Sequence, residues 1–217
     1  MNFEQARFNM VEQQIRPWQV LDTEVLAVLS KVPRERFAPS PYQAIAYTDV
    51  EIPLGHGQQM TPPRIDARLM HDLQLQGDEK VLEIGTGSGY LTALLAGRCQ
   101  RVISLETHAG LASQARRNLQ QAGVTQAEVR VADGSEGLAA EAPFDAIVLG
   151  GSVSQVPQTL LDQLKVGGRL IAIVGTDLPM TAMRYTRRSA TDWDSQPLWD
   201  AQAPALSGFP EPARFEF

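Results

Sequence analysis

The sequence predicts an α/β fold built on a doubly wound, mostly parallel sheet, with helices before it and an antiparallel edge after it. Three observations predict this. Between Lys80 and Val174 short apolar runs alternate with amphipathic stretches of helical period. A turn carrying three glycines joins the first of those runs directly to a helix. Beyond Gly175 the alternation gives way to strand-like segments with no helix between them. A chain of 217 residues, 43% hydrophobic, suits one domain spanning residues 1–217. Within it, residues 1–76 form a helical and loop-bearing region, 77–175 the core of the sheet, and 176–217 the antiparallel strands.

Each element follows from local chemistry. Residues 2–16 read as helix and stop at Pro17. Residues 22–31 read as a second helix, capped by Asp22 or Thr23, with Leu26 and Leu29 on one face and Pro33 just beyond. Residues 33–60 are rich in proline, glycine and aromatics and read as loop. Pro62 and Pro63 open a helix to about Leu73 with Ile65, Leu69 and Met70 apolar. Then come strand 80–84, helix 90–96, strand 101–105 and helix 108–122, the last closed by Gly123. Strands 128–131 and 146–149, a helix over about 157–164, and strand 169–174 complete the alternation. Residues 183–188 and 213–217 read as the short antiparallel strands.

Composition narrows the chemistry. A net charge of −6 argues against nucleic acid as a partner, since phosphate neutralisation demands a basic face. No apolar run approaches the ~18 residues of a membrane span, and the N-terminus has neither a basic nor an apolar leader segment. One cysteine, Cys99, allows no intramolecular disulfide and fits a reducing, cytoplasmic setting. A monomer is expected, and no metal.

The glycine turn points to a cofactor. In open α/β sheets ligands lie outside the carboxyl ends of the strands, so the turn Gly85-Thr86-Gly87-Ser88-Gly89 is a binding candidate. A dinucleotide fingerprint spaces its glycines G-x-G-x-x-G; here the third glycine comes one position early. Glu106, at the end of the next strand, could accept hydrogen bonds from both hydroxyls of a ribose. Asp133, followed by Gly134, could accept from an adenine amine. Glu106 alone would serve a nicotinamide enzyme equally; the glycine spacing discriminates.

The segment 81–90 resembles motif I of the S-adenosylmethionine-dependent methyltransferases, whose strand acid is matched by Glu83. Met10-Val11-Glu12-Gln13-Gln14-Ile15-Arg16, Lys31-Val32-Pro33-Arg34-Glu35-Arg36-Phe37-Ala38-Pro39, Ala46-Tyr47 and Ile52-Pro53-Leu54-Gly55-His56-Gly57-Gln58 look like the N-terminal signature of the protein-L-isoaspartate O-methyltransferases, and Leu164 to Leu170 with Val174-Gly175 matches that family's later motif. The resemblance covers residues 8–175. It implies a Rossmann-like methyltransferase fold, S-adenosyl-L-methionine as cofactor, and L-isoaspartyl proteins or peptides as substrate. It further implies cofactor contacts at Glu83, Gly85, Thr86, Gly87, Gly89, Glu106, Asp133 and Gly134, and substrate contacts at His56, Gln58 and Thr61. The family's Gly-Gln-Thr-Ile-Ser run reads here Gly57-Gln58-Gln59-Met60-Thr61, so Thr61 takes the place of the serine that helps hold the isoaspartyl residue. Gly150-Gly151-Ser152 stands where the family has Thr-Ala-Ala. These departures leave open a drift to another carboxylate or a small molecule, or a non-catalytic cofactor-binding relative.

Overall fold

A computed structural model describes residues 2–210. The chain begins with α1 (Phe3–Met10), which runs on through a π-helical turn at Val11–Ile15 into a 3-10 turn at Arg16–Trp18. The expected stop at Pro17 therefore falls inside a turn: at the first positions of a 3-10 helix the missing N–H costs little. Helix α2 (Thr23–Lys31) is capped by Asp22, whose carboxylate accepts the amides of Glu24 and Val25. Residues 33–60, expected as loop, contain an antiparallel hairpin, β1 (Ile52–Gly55) and β2 (Gln58–Met60). Its inward residues Ile52 and Met60 join the core, which gives this short ribbon its support. Helix α3 (Pro63–Leu73) follows.

The sheet then builds outward from its centre. Strand β3 (Lys80–Ile84), α4 (Tyr90–Ala96), β4 (Arg101–Glu106), α5 (Ala109–Gln121) and β5 (Ala127–Val131) wind to one side. Strand β6 (Phe144–Val153), α6 (Gln158–Asp162) and β7 (Leu164–Val174) wind to the other. Strands β8 (Met180–Arg187) and β9 (Trp193–Ala201) add two antiparallel partners, giving the order β5-β4-β3-β6-β7-β8-β9. The expected antiparallel edge is present, but its second strand is β9; the strand expected at 213–217 lies outside the described residues.

Strand β3 pairs in parallel with both β4 and β6, so the order reverses at its carboxyl end. A crevice opens at such a switch point because the neighbouring connections leave to opposite faces. Helix α4 is buried along its whole length. It lies between the sheet and a cap in which Met10, Val11, Ile15, Val25, Leu29 and Phe37 pack on Tyr90 and Leu94. The N-terminal region thus roofs the crevice. No described helix is long and apolar enough to cross a membrane.

Candidate active site

The floor of the crevice is the turn after β3. Its path is tied to the neighbouring strand: the amides of Gly85 and Thr86 both donate to the carbonyl of Leu105, at 2.9 and 3.2 Å. The Thr86 hydroxyl meets that of Ser104 at 2.5 Å. Gly85 holds φ +93°, an angle that favours glycine, and a Cβ there would stand 2.6 Å from Leu206 Cδ2, so the Leu206 side chain covers the turn.

Glu106, 5% exposed, is fixed at both oxygens. The amide of Gly87 donates to Oε2 and that of His108 to Oε1, each at 2.9 Å. This places the carboxylate beside the glycine turn, as the strand-end argument expected. Gly134, Gln58, Thr107, Leu206 and Ser207 line a cavity of about 30 Å³ with it. Gln58, expected among substrate contacts, therefore sits on the Glu106 side of the turn. His56, at the exposed hairpin tip, stacks on His108 and lines neither of the two cavities beside the turn.

A second cavity of about 30 Å³ lies on the other side of Gly85, between Thr61, Asp66, Tyr90, the turn and Gly150. Thr61, 6% exposed, donates its hydroxyl proton to Asp66 Oδ1 at 2.6 Å. Asp66 Oδ2 accepts from Arg34 Nη1 at 2.7 Å. Arg34 is fully buried; its Nε donates to the Ala46 carbonyl at 2.8 Å, its Nη2 to the Thr61 carbonyl, and its guanidinium lies 4.6 Å over the Tyr90 ring. Burial pushes the Asp66 carboxyl up, while the Arg34 charge and the Thr61 hydroxyl pull it back.

Two further expected contacts line neither cavity. Glu83 points into the interior beneath the turn: it is fully buried, its Oε2 accepts the Thr92 hydroxyl at 2.5 Å, and it lines neither cavity. A strand residue of that parity faces α4, which is why the acid meets Thr92 of that helix. Burial raises its pKa to about 8, opposed by the hydrogen bond from Thr92. Asp133 is exposed, its Oδ1 takes the Ser135 amide at 2.9 Å, and a Cβ on Gly208 would stand 2.8 Å from that oxygen.

Gly208 belongs to a tail that sequence reasoning left unassigned. Residues 203–206 run beside the end of β6. Ser152 donates from its amide to the Pro204 carbonyl at 2.8 Å and from its hydroxyl to that of Ala203 at 3.0 Å, and its own carbonyl accepts the Leu206 amide at 2.9 Å. The Gly150-Gly151 departure now has a physical reason. A Cβ on Gly151 would stand 2.6 Å from the Pro204 carbonyl oxygen, and one on Gly150 2.7 Å from that of Gly85. Arg34, Asp66 and Leu206 were the members missed. Arg34 lies in a segment that carries the resemblance; nothing in sequence spacing pairs it with Asp66, 32 residues away.

A model of the protein-L-isoaspartate(D-aspartate) O-methyltransferases matches residues 5–198. The Methanoculleus marisnigri protein-L-isoaspartate O-methyltransferase is 47% identical over 169 residues, 78% of this chain and 77% of that one. A Syntrophobacter fumaroxidans protein of the same name is 45% identical over 178 residues, covering 82% and 83%. A solved protein-L-isoaspartate O-methyltransferase superposes with a TM-score of 0.81 at 23% identity, over 93% of this chain and 66% of that one. A Plasmodium falciparum beta-aspartate methyltransferase in complex with S-adenosyl-L-homocysteine gives 0.77 at 22% identity, over 95% and 99%. The last two show the shared fold; the extent of the family match and the identity of the first two establish that the chain belongs to the protein-L-isoaspartate(D-aspartate) O-methyltransferase family.

Proposed function

We propose that this protein transfers the methyl group of S-adenosyl-L-methionine to the carboxylate of L-isoaspartyl residues in damaged proteins or peptides. The family match over residues 5–198 carries the reading. The residues at the crevice fit the cofactor. The turn offers glycine backbone at Gly85, and Gly134 lines the cavity beside Glu106, packed on Ile84 so closely that a Cβ would stand 2.5 Å from Ile84 Cγ2. The Gly85 to Gly89 turn, Thr86 included, would hold the amino-acid part, Glu106 the ribose hydroxyls, and Asp133 with Gly134 the adenine. Glu106 Oε2 uses one lone pair on the Gly87 amide and keeps another for a ribose hydroxyl, while Oε1 takes the His108 amide and, at 3.5 Å, the Thr107 hydroxyl, which a ligand hydroxyl would displace. The two cavities flanking Gly85 have room for no more than a water molecule or two each, so Leu206 must withdraw to admit a ligand.

When bound, the cofactor supplies an electrophilic methyl on a sulfonium. The acceptor carboxylate, with an ordinary pKa near ~4, is already ionised at neutral pH and requires no general base. The chain therefore works by orientation and exclusion of water, which in well-aligned systems is worth about 7 to 11 kcal/mol. Thr61 and the turn border the cavity where donor and acceptor would meet. A groove of about 630 Å³, lined among others by Ser152, Ser154, Thr176, Asp177, Met180 and Phe209, shares Leu206 and Ser207 with the cavity beside Glu106 and suits an extended peptide segment. A monomer in the cytoplasm accords with this reading.

The test offers labelled S-adenosylmethionine with matched peptides containing L-isoaspartate or aspartate and measures base-labile methyl ester. Ester on the isoaspartyl peptide alone is expected. Ester on neither, with the cofactor bound, would overturn the reading.

A further inference from the structure

Thr61 has one proton to give, and the structure shows where it goes. Its hydroxyl donates to Asp66 Oδ1 at 2.6 Å, in a place where Thr61, Asp66 and Arg34 are all buried. An ionised carboxylate only accepts, and a hydroxyl carries one donor and two acceptor sites. Asp66 is ionised because Arg34 is permanently charged, fully buried, and has no other anionic partner among the described residues; its remaining hydrogen bonds go to the carbonyls of Ala46 and Thr61. With the proton committed inward, the Thr61 oxygen turns only lone pairs toward the cavity it lines.

From this polarity, and resting on the function proposed above, we infer that Thr61 receives a hydrogen bond from the substrate, not the substrate's carboxylate. The donor nearest the methylated carboxylate in an isoaspartyl peptide is the amide N–H on the same Cα. Thr61 reads that N–H, and Asp66 and Arg34 are positioning residues that hold its hydroxyl in the accepting sense. The pair also has a reason to persist that stability does not supply, since a buried ion pair is no more stabilising than well-packed apolar groups of the same volume. The site selects a backbone-embedded isoaspartyl unit over a bare small carboxylate, which has no such donor.

The experiment compares an isoaspartyl peptide with an otherwise identical one in which that N–H is replaced by an ester oxygen. For the unaltered protein KM should rise roughly tenfold with the ester peptide, the effect of one hydrogen bond, with kcat changing less. Thr61→Val keeps the shape and the buried charges but removes the acceptor, so the two peptides should become equivalent. Asp66→Asn is the second arm. Arg34 Nη1 keeps the Asn carbonyl on its side, so the amide NH2 faces Thr61 and releases the hydroxyl proton into the cavity; the preference for the N–H peptide should vanish or invert. Equal KM for both peptides with the unaltered protein, or a preference that survives Thr61→Val, overturns the inference while leaving the methylation reading intact. No ester on any isoaspartyl peptide takes both down together. The Thr61→Val arm decides the matter even where Asp66→Asn does not fold.

Discussion

His56, at the tip of the β1–β2 hairpin, stacks on His108, with ring centroids 5.0 Å apart and 17° between the ring planes. The contact clips the hairpin to the residue whose amide holds Glu106. His56 adopts φ +55° as part of the tight turn between the two strands. His56→Ala should leave the fold intact and speed cofactor dissociation by about three- to tenfold, the worth of one aromatic pair. Stopped-flow measurement of S-adenosylhomocysteine release checks this; an unchanged rate would mean the hairpin does not gate the ligand.

Glu106→Ala should weaken cofactor binding by about 1 to 3 kcal/mol through lost charge-assisted hydrogen bonds. The same change frees the Gly87 and His108 amides, so part of the loss reflects a looser turn. Calorimetry measures it, and unaltered affinity would remove Glu106 from the binding set.

Leu206 packs where a ligand above Gly85 must pass. Leu206→Ala should accelerate cofactor association. Gly151→Ala acts on the same tail from below, forcing a methyl against the Pro204 carbonyl, and should lower stability by about 1 to 3 kcal/mol. Binding kinetics and thermal melts separate the two effects.

Glu83 gives a pH signature. Its folded pKa, raised to about 8 by burial, exceeds the ordinary value of 4.5. Below about pH 4.5 both folded and unfolded chains carry the proton, and stability is unaffected. Between 4.5 and 8 the unfolded chain releases it and the folded one retains it, so stability falls as pH rises, by on the order of 5 kcal/mol across the window. Glu83→Gln should flatten this slope in urea melts at pH 5 and pH 9. An equal slope in both proteins would place the proton elsewhere.

The centre of the fold was legible because its signals are local. Strand β3 and α4 fall on the residues expected, since a buried parallel strand leaves a continuous apolar run and the glycine turn marks the junction. The hairpin was hidden: Pro53 interrupts a four-residue strand, its partner has three residues, and their pairing relies on the core beneath. Strand β9 was obscured by Pro197 and the polar run Asp194-Ser195-Gln196 before it. Glu106 could be placed because a strand end lies at a known rim. Glu83 could not, because sequence gives its parity along the strand but not what covers that face. The link from Thr61 through Asp66 to Arg34 joins three segments across a proline turn and leaves no period to read.

That link also constrains how the sequence can change. Replacing either Arg34 or Asp66 alone strands the other's charge in the interior, a cost of about 3 to 5 kcal/mol against a typical total stability of about 5 to 15. Descent through single substitutions is therefore nearly closed at these two positions, and they pass between generations as one heritable unit. Thr61 carries no such burden, so divergence in what the enzyme accepts has its easiest road through that residue.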